Sequence, residues 1–230
     1  MTHQFQIESM KSIEANFKEV SGLPDRRHFK IFYSPVFRAE LLVLGLQPRG
    51  QPSDFSADGM HDFARNLPSA ASAGFYDKGE NDILDCDWSF ARGMSALIAS
   101  GLFSDRSSFR SNAVVSNLSF VRREKVKKAD IMSDIAMSRE GIAKILRAVR
   151  PKAIITTFDF QKYPIHGLTG QSVASCAKAP GVGQLILQVG AALLDGMPVS
   201  LYGVAHPSQF SWIYATFGVG RTIRQKMNAA

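Results

Sequence analysis

The chain is poor in the residues that build metal centres. Its 230 residues include two cysteines, Cys86 and Cys176, and five histidines. The cysteines stand alone, with no CxxC pair and no Cys/His cluster. A zinc site or an iron–sulfur cluster is therefore not expected, and no cofactor is predicted. So few cysteines fit a reducing compartment. No apolar run approaches the length of a membrane helix. Residues 1–5 lack a basic segment leading into an apolar one, so no signal peptide is read there. These absences predict a soluble, cytoplasmic protein with no membrane partner. No Gly-rich phosphate loop follows any apolar run, and Gly181-Val182-Gly183 lacks the preceding strand that a dinucleotide fingerprint needs. Internal repeats, low-complexity tracts and clear linkers are missing too. Residues 1–230 are thus read as one domain, and a monomer is expected. Acidic residues are the minority charge: 20 against 27 basic ones leave a net +7, which favours a polyanionic partner.

Apolar residues make up 45% of the chain, enough to fill a core. Met10, Ile13, Phe17 and Val20 recur at helical spacing and predict a helix over residues 5–20, stopped at Gly22-Leu23-Pro24. Residues 40–44 read as a short buried strand. Residues 49–82 are rich in Gly, Ser, Pro, Asp and Asn, and so long an irregular stretch points to function. A helix is expected over 87–100 and a strand over 113–118. Ile142, Ile145, Leu146 and Val149 line a helix that ends before Pro151. Residues 153–158 are β-branched and short, hence a strand. Residues 184–194 read as a helix closed by Gly196-Met197-Pro198, followed by a last strand over 199–205 and a C-terminal helix over 212–227. Alternating strands and helices predict a mostly parallel sheet covered on both faces, a three-layer α/β/α fold.

Three polar residues follow three of the apolar runs. Gly45-Leu46-Gln47-Pro48 follows Leu41–Leu44, Asn117 ends Ala113–Ser116, and His206-Pro207-Ser208 follows Leu201–Ala205. If these runs are parallel strands, Gln47, Asn117 and His206 emerge at carboxyl ends, the edge where open α/β sheets bind ligands. Two amides and an imidazole suit a heterocycle better than a metal. Each residue also has a plainer reading. Gly45 and Pro48 could simply make a tight turn, Asn117 could cap one, and a His-Pro pair at a strand end is often structural.

The order and context of these motifs resemble the uracil-DNA glycosylase superfamily over roughly residues 35–225. That family has a G-x-[D/N]-P motif after its first strand, an Asn that reads the base, and a late H-P-S motif. The resemblance implies a monofunctional DNA glycosylase. It would flip out uracil or a modified pyrimidine, hydrolyse its N-glycosidic bond and leave an abasic site. A bulky modified cytosine of the phage type is among the candidates. Asn117 would bond the base edge, and His206 would donate to the pyrimidine O2 as negative charge develops. Gln47 would hold the water, with Leu46 and Arg49 lining the pocket. Phe55 or Phe63 would stack on the base, and Phe210 would be the wedge that fills the vacated stack. Trp212 is assigned instead to the core. Arg122, Arg123, Lys125 and Ser208 would contact DNA. A solvated loop is the plainer reading of the basic run. Arg49 could bond an oxygen-bearing C5 substituent, or instead face a phosphate or Asp54. Two departures stand out. Gln47 occupies the place of an Asp or Asn, and the four-cysteine cluster pattern of some members is absent. An amide is no base, so a non-catalytic DNA- or nucleic-acid-binding module on the same fold is the alternative.

Overall fold

The computed structural model describes residues 3–23, 29, 31, 33–34, 36–48, 84, 89–123 and 128–229. Helix α1 (His3–Ser21) precedes strand β1 (Leu41–Gly45). Helix α2 (Ser89–Leu97) runs into a π-helical turn at Ile98–Leu102, then α3 (Arg106–Asn112) and β2 (Ala113–Asn117) follow. Next come α4 (Lys128–Val149), β3 (Ala153–Thr156), β4 (Thr169–Lys178), β5 (Leu185–Leu194) and β6 (Met197–Val204). The described chain ends with α5 (Pro207–Phe217) and α6 (Val219–Ala229).

The six strands form one sheet in the order β2-β1-β3-β6-β5-β4. From β2 to β6 the pairing is parallel, and from β6 to β4 antiparallel. The parallel strands are continuous apolar runs because both their faces are covered. Leu42, Leu44, Val114, Ile154 and Leu201 pack with Ile13 and Phe17 of α1 and with Ile135, Ile142 and Ile145 of α4. Leu41, Val43, Val115, Ile155 and Tyr202 pack with Met94, Leu97, Phe109, Ile213, Tyr214 and Ile223 on the other face. Successive residues of a strand point to opposite faces, so the two cores follow directly from strand parity. The result is the expected three-layer α/β/α architecture.

Three elements differ from the sequence reading. Residues 184–194 are not a helix but strand β5, which turns back into β6 through Asp195-Gly196. Both turn residues have positive φ, 48° and 81°. Asp-Gly is the composition that a two-residue hairpin favours, and here it outweighs the helical reading of the leucines. The polar edge strand β4 lies beyond it, mostly exposed and with register shifts along its pairing. Bulges and polar residues on an exposed edge limit pairing with other chains. The C-terminal helix starts at Pro207 rather than at residue 212, and it breaks at Gly218 into α5 and α6. Ile213 and Tyr214 take its inner face, so Trp212, expected in the core, is 47% exposed. Among the described residues no helix is long and apolar enough to cross a membrane, and no cluster of His, Cys, Asp and Glu could hold a metal.

Candidate functional site

Parallel pairing brings the carboxyl ends of β2, β1, β3 and β6 to one edge of the sheet. Gly45 is level with Asn117 across the β1–β2 pair. The segments after these strands stay joined: Leu118 N–H donates to the Gly45 carbonyl at 2.7 Å, and Ser119 N–H to the Leu46 carbonyl at 2.9 Å. Leu46 and Gln47 are thereby fixed relative to Asn117. Asn117 is buried, and its amide lies across Gly45. A Cβ on residue 45 would fall well inside contact distance of Asn117 Oδ1. Gly45 is therefore glycine because a neighbouring side chain needs the space.

Gln47 is held from the α4 side. Its Nε2 donates to Asp134 Oδ2 at 2.6 Å. Arg123 closes on the same carboxylate as a fork, Nε to Oδ2 and Nη2 to Oδ1, both at 2.6 Å. Asp130 adds a longer contact to Arg123 at 3.9 Å. Hydrogen bonding to Asp134 is the main reason the Arg123 guanidinium lies above its ordinary pKa. The Asp134 side chain is fully buried. A carboxylate only accepts, so it fixes Gln47 with Nε2 inward and Oε1 turned the other way. Arg122 and Arg123, expected at DNA phosphates, both have protein surroundings in the structure. Arg122 is 6% exposed and Arg123 is folded onto Asp134, because α4 supplies a buried counter-charge that the linear basic run does not reveal. Asp134 was missed in the sequence, although a signal existed. It sits with Ile131, Ile135, Ser138 and Ile142 on the stripe of α4 that faces the core, where a carboxylate is out of place.

His206 is the N-cap of α5. Its Nδ1 accepts from Ser208 N–H at 3.3 Å and lies 2.7 Å from Ser208 Oγ. A backbone N–H can only donate, so Nδ1 is the acceptor and the neutral ring carries its proton on Nε2. The ring meets Phe90 edge-on, with centroids 5.7 Å apart. Pro207 suits the first helical position, with its fixed φ and missing N–H. Its carbonyl packs against Gly93 of α2, where any Cβ would collide with it. The Tyr214 hydroxyl donates to the Ala205 carbonyl, and burial pushes that phenol well above its ordinary pKa. These contacts seat His206 firmly at the end of β6. Ser208, expected at DNA, bonds His206 in the structure. Phe210 is half-buried and packs against the second core, with φ −130° interrupting the helix.

Several buried polar atoms close to this edge have no hydrogen-bond partner among the described residues. They are Gln47 Oε1, Asn117 Nδ2, Ser119 Oγ and Thr157 Oγ1. Buried polar groups are normally satisfied, so a group of orphans calls for an explanation. They comprise an acceptor, a donor and two hydroxyls, groups of the kind that a polar heterocycle satisfies. The shallow groove beside Val20 and Met137 contains none of these residues. Arg49, Phe55, Phe63 and Lys125 lie outside the described residues. No family model and no curated protein matches the chain.

Proposed function

We propose that the chain is a DNA glycosylase that hydrolyses the N-glycosidic bond of uracil or a modified pyrimidine. The observation that carries this reading is the set of unpartnered amide atoms of Gln47 and Asn117 at the strand edge that also delivers His206. Asn117 bonds the edge of the flipped base. As the C1′–N1 bond breaks, its electron pair leaves with the base, and the sugar takes on oxocarbenium character. Nε2–H of His206 donates to the ring oxygen where negative charge collects, an oxyanion-type contribution. Water adds to C1′ and loses a proton to solvent, and the departed base takes one up.

Gln47 cannot remove that proton, but Oε1 can accept a hydrogen bond from the water and aim it. The Asp134 carboxylate behind Nε2 polarises the amide toward Oε1, which makes it a better acceptor. This arrangement answers the absence of an acid at position 47: the carboxylate stands one hydrogen bond further back.

The alternative is a DNA-binding module without turnover, and the amide at position 47 is what favours it. One assay separates the two. Duplexes carrying uracil, hypoxanthine, 5-hydroxymethylcytosine or its glucosylated form are incubated with the protein and treated with alkali. Strand breaks at one base are the expected result. Mobility shifts with no breaks at any base would leave the binding module.

A further inference from the structure

We propose that Thr157 is a base-contacting residue of this site, its hydroxyl bonding a ring carbonyl on the His206 side of Asn117. The identity of the ligand as a pyrimidine rests on the glycosylase reading. The placement of Thr157 does not.

Strand β3 lies between β1, which leads to Gln47, and β6, which leads to His206. Thr157 N–H donates to the Leu44 carbonyl at 3.0 Å, so the chain keeps pace with β1 for one residue beyond β3. Leu44 is level with Thr156, which puts Thr157 level with Gly45 and hence with Asn117. Parity gives its side. Ala153 and Ile155 face the second core while Ile154 and Phe158 face the first. Thr157 therefore shares a face with Ala153 and Ile155, as Asn117 does with Ala113 and Val115. Gly45 has no side chain between them. Asn117 and Thr157 thus stand two strand spacings apart, about 10 Å, and the Asn117 amide reaches over Gly45 into that interval.

The hydroxyls of the two adjacent threonines have different fates. Thr156 Oγ1 donates to the Phe158 carbonyl at 2.8 Å and is satisfied within the turn. Thr157 is 4% exposed, and its Oγ1 has no partner among the described residues. Valine has the same shape without the hydroxyl and would pack there at no polar cost. An orphan hydroxyl that shares a face with the Asn117 amide is what a ligand contact requires.

The test compares wild type with Thr157→Val and Thr157→Ser. Three readings are taken: melting temperature without ligand, the shift caused by free uracil and free cytosine, and kcat/KM on whichever duplex wild type cleaves. Thr157→Val is expected to melt about 2–4 °C higher, since an unpaired buried hydroxyl is removed. It should also lose the nucleobase shift and about tenfold or more in kcat/KM, while Thr157→Ser retains most of both. A lower melting temperature for Thr157→Val, or an unchanged nucleobase shift, overturns the proposal. If wild type cleaves no base, the glycosylase reading fails alone. The nucleobase shift then decides: its loss in Thr157→Val upholds the contact, and no shift in either protein refutes it.

Discussion

The two sides of the site are built on opposite plans. Toward α4, Gln47, Arg123 and Asp134 close on one another through bonds of 2.6 Å. Toward β3, Asn117 Nδ2 and Thr157 Oγ1 are buried without partners among the described residues. The closed side behaves as scaffold: it fixes one amide and leaves a single atom, Oε1, for use. The open side carries unsatisfied buried groups, which cost stability. Function is commonly located where local order and local satisfaction part company. The contrast also separates two kinds of mutational outcome. Changes on the closed side should register mainly as stability, and changes on the open side mainly as binding or turnover.

The largest stability effect is expected at Asp134. Asp134→Ala strands the Arg123 guanidinium and the Gln47 amide together. Breaking a buried pair costs about 3–5 kcal/mol, and the lower end applies because Arg123 is 35% exposed. Urea unfolding should show a lower midpoint at unchanged slope, the midpoint shift multiplied by the slope giving that amount. A shift near zero would mean that the network contributes nothing and that Gln47 is held by something else.

Next comes His206, whose two duties can be separated. As an N-cap it supports α5, and asparagine caps about as well as any residue. His206→Asn should therefore melt within a few degrees of wild type and yet lose about a hundredfold in turnover. Equal turnover in the folded variant would reduce His206 to a cap.

How much of this was legible in the chain follows from burial. The parallel strands are covered on both faces, so β1, β2 and β3 are short unbroken apolar runs, and their polar ends are easy to place. The β5 arm has one face partly in solvent. Its leucines recur at spacings compatible with either period, and only the Asp195-Gly196 turn settles the matter. Gln47, Asn117 and His206 were visible because each directly follows such a run. Asp134 and Thr157 were not, because their meaning lies in what they face. Asp134 is 87 residues from Gln47 in sequence. Thr157 looks like the tail of a β-branched strand until pairing sets it level with Gly45.

A smaller effect is expected at Gly45, on the boundary of the two sides. Gly45→Ala forces a methyl group into the space taken by Asn117 Oδ1. Overpacking of this kind costs about 1–3 kcal/mol. The Asn117 amide should yield before the strand does, so base affinity should fall further than stability. The second change Asn117→Ala, made on Gly45→Ala, should recover part of the lost stability and none of the binding. Recovery of both would mean that Asn117 never contacts the ligand.

The smallest effect concerns DNA affinity at Arg123, where the sequence alone suggested a phosphate contact. Each such contact contributes about 0.9 to the slope of log K against log salt. In the structure Asp134 takes up the Nε/Nη2 edge of Arg123, and its carboxylate balances the guanidinium charge. Arg123→Ala should therefore lower the melting temperature and leave the salt slope short of a one-contact change. Arg123→Lys should resemble it, because an ammonium cannot reproduce the fork. A slope reduced by about 0.9 with little loss of stability would show that Arg123 exchanges Asp134 for a phosphate when DNA arrives. Asp134 and Gln47 would then be released at the moment of binding, and the closed side of the site would be closed only at rest.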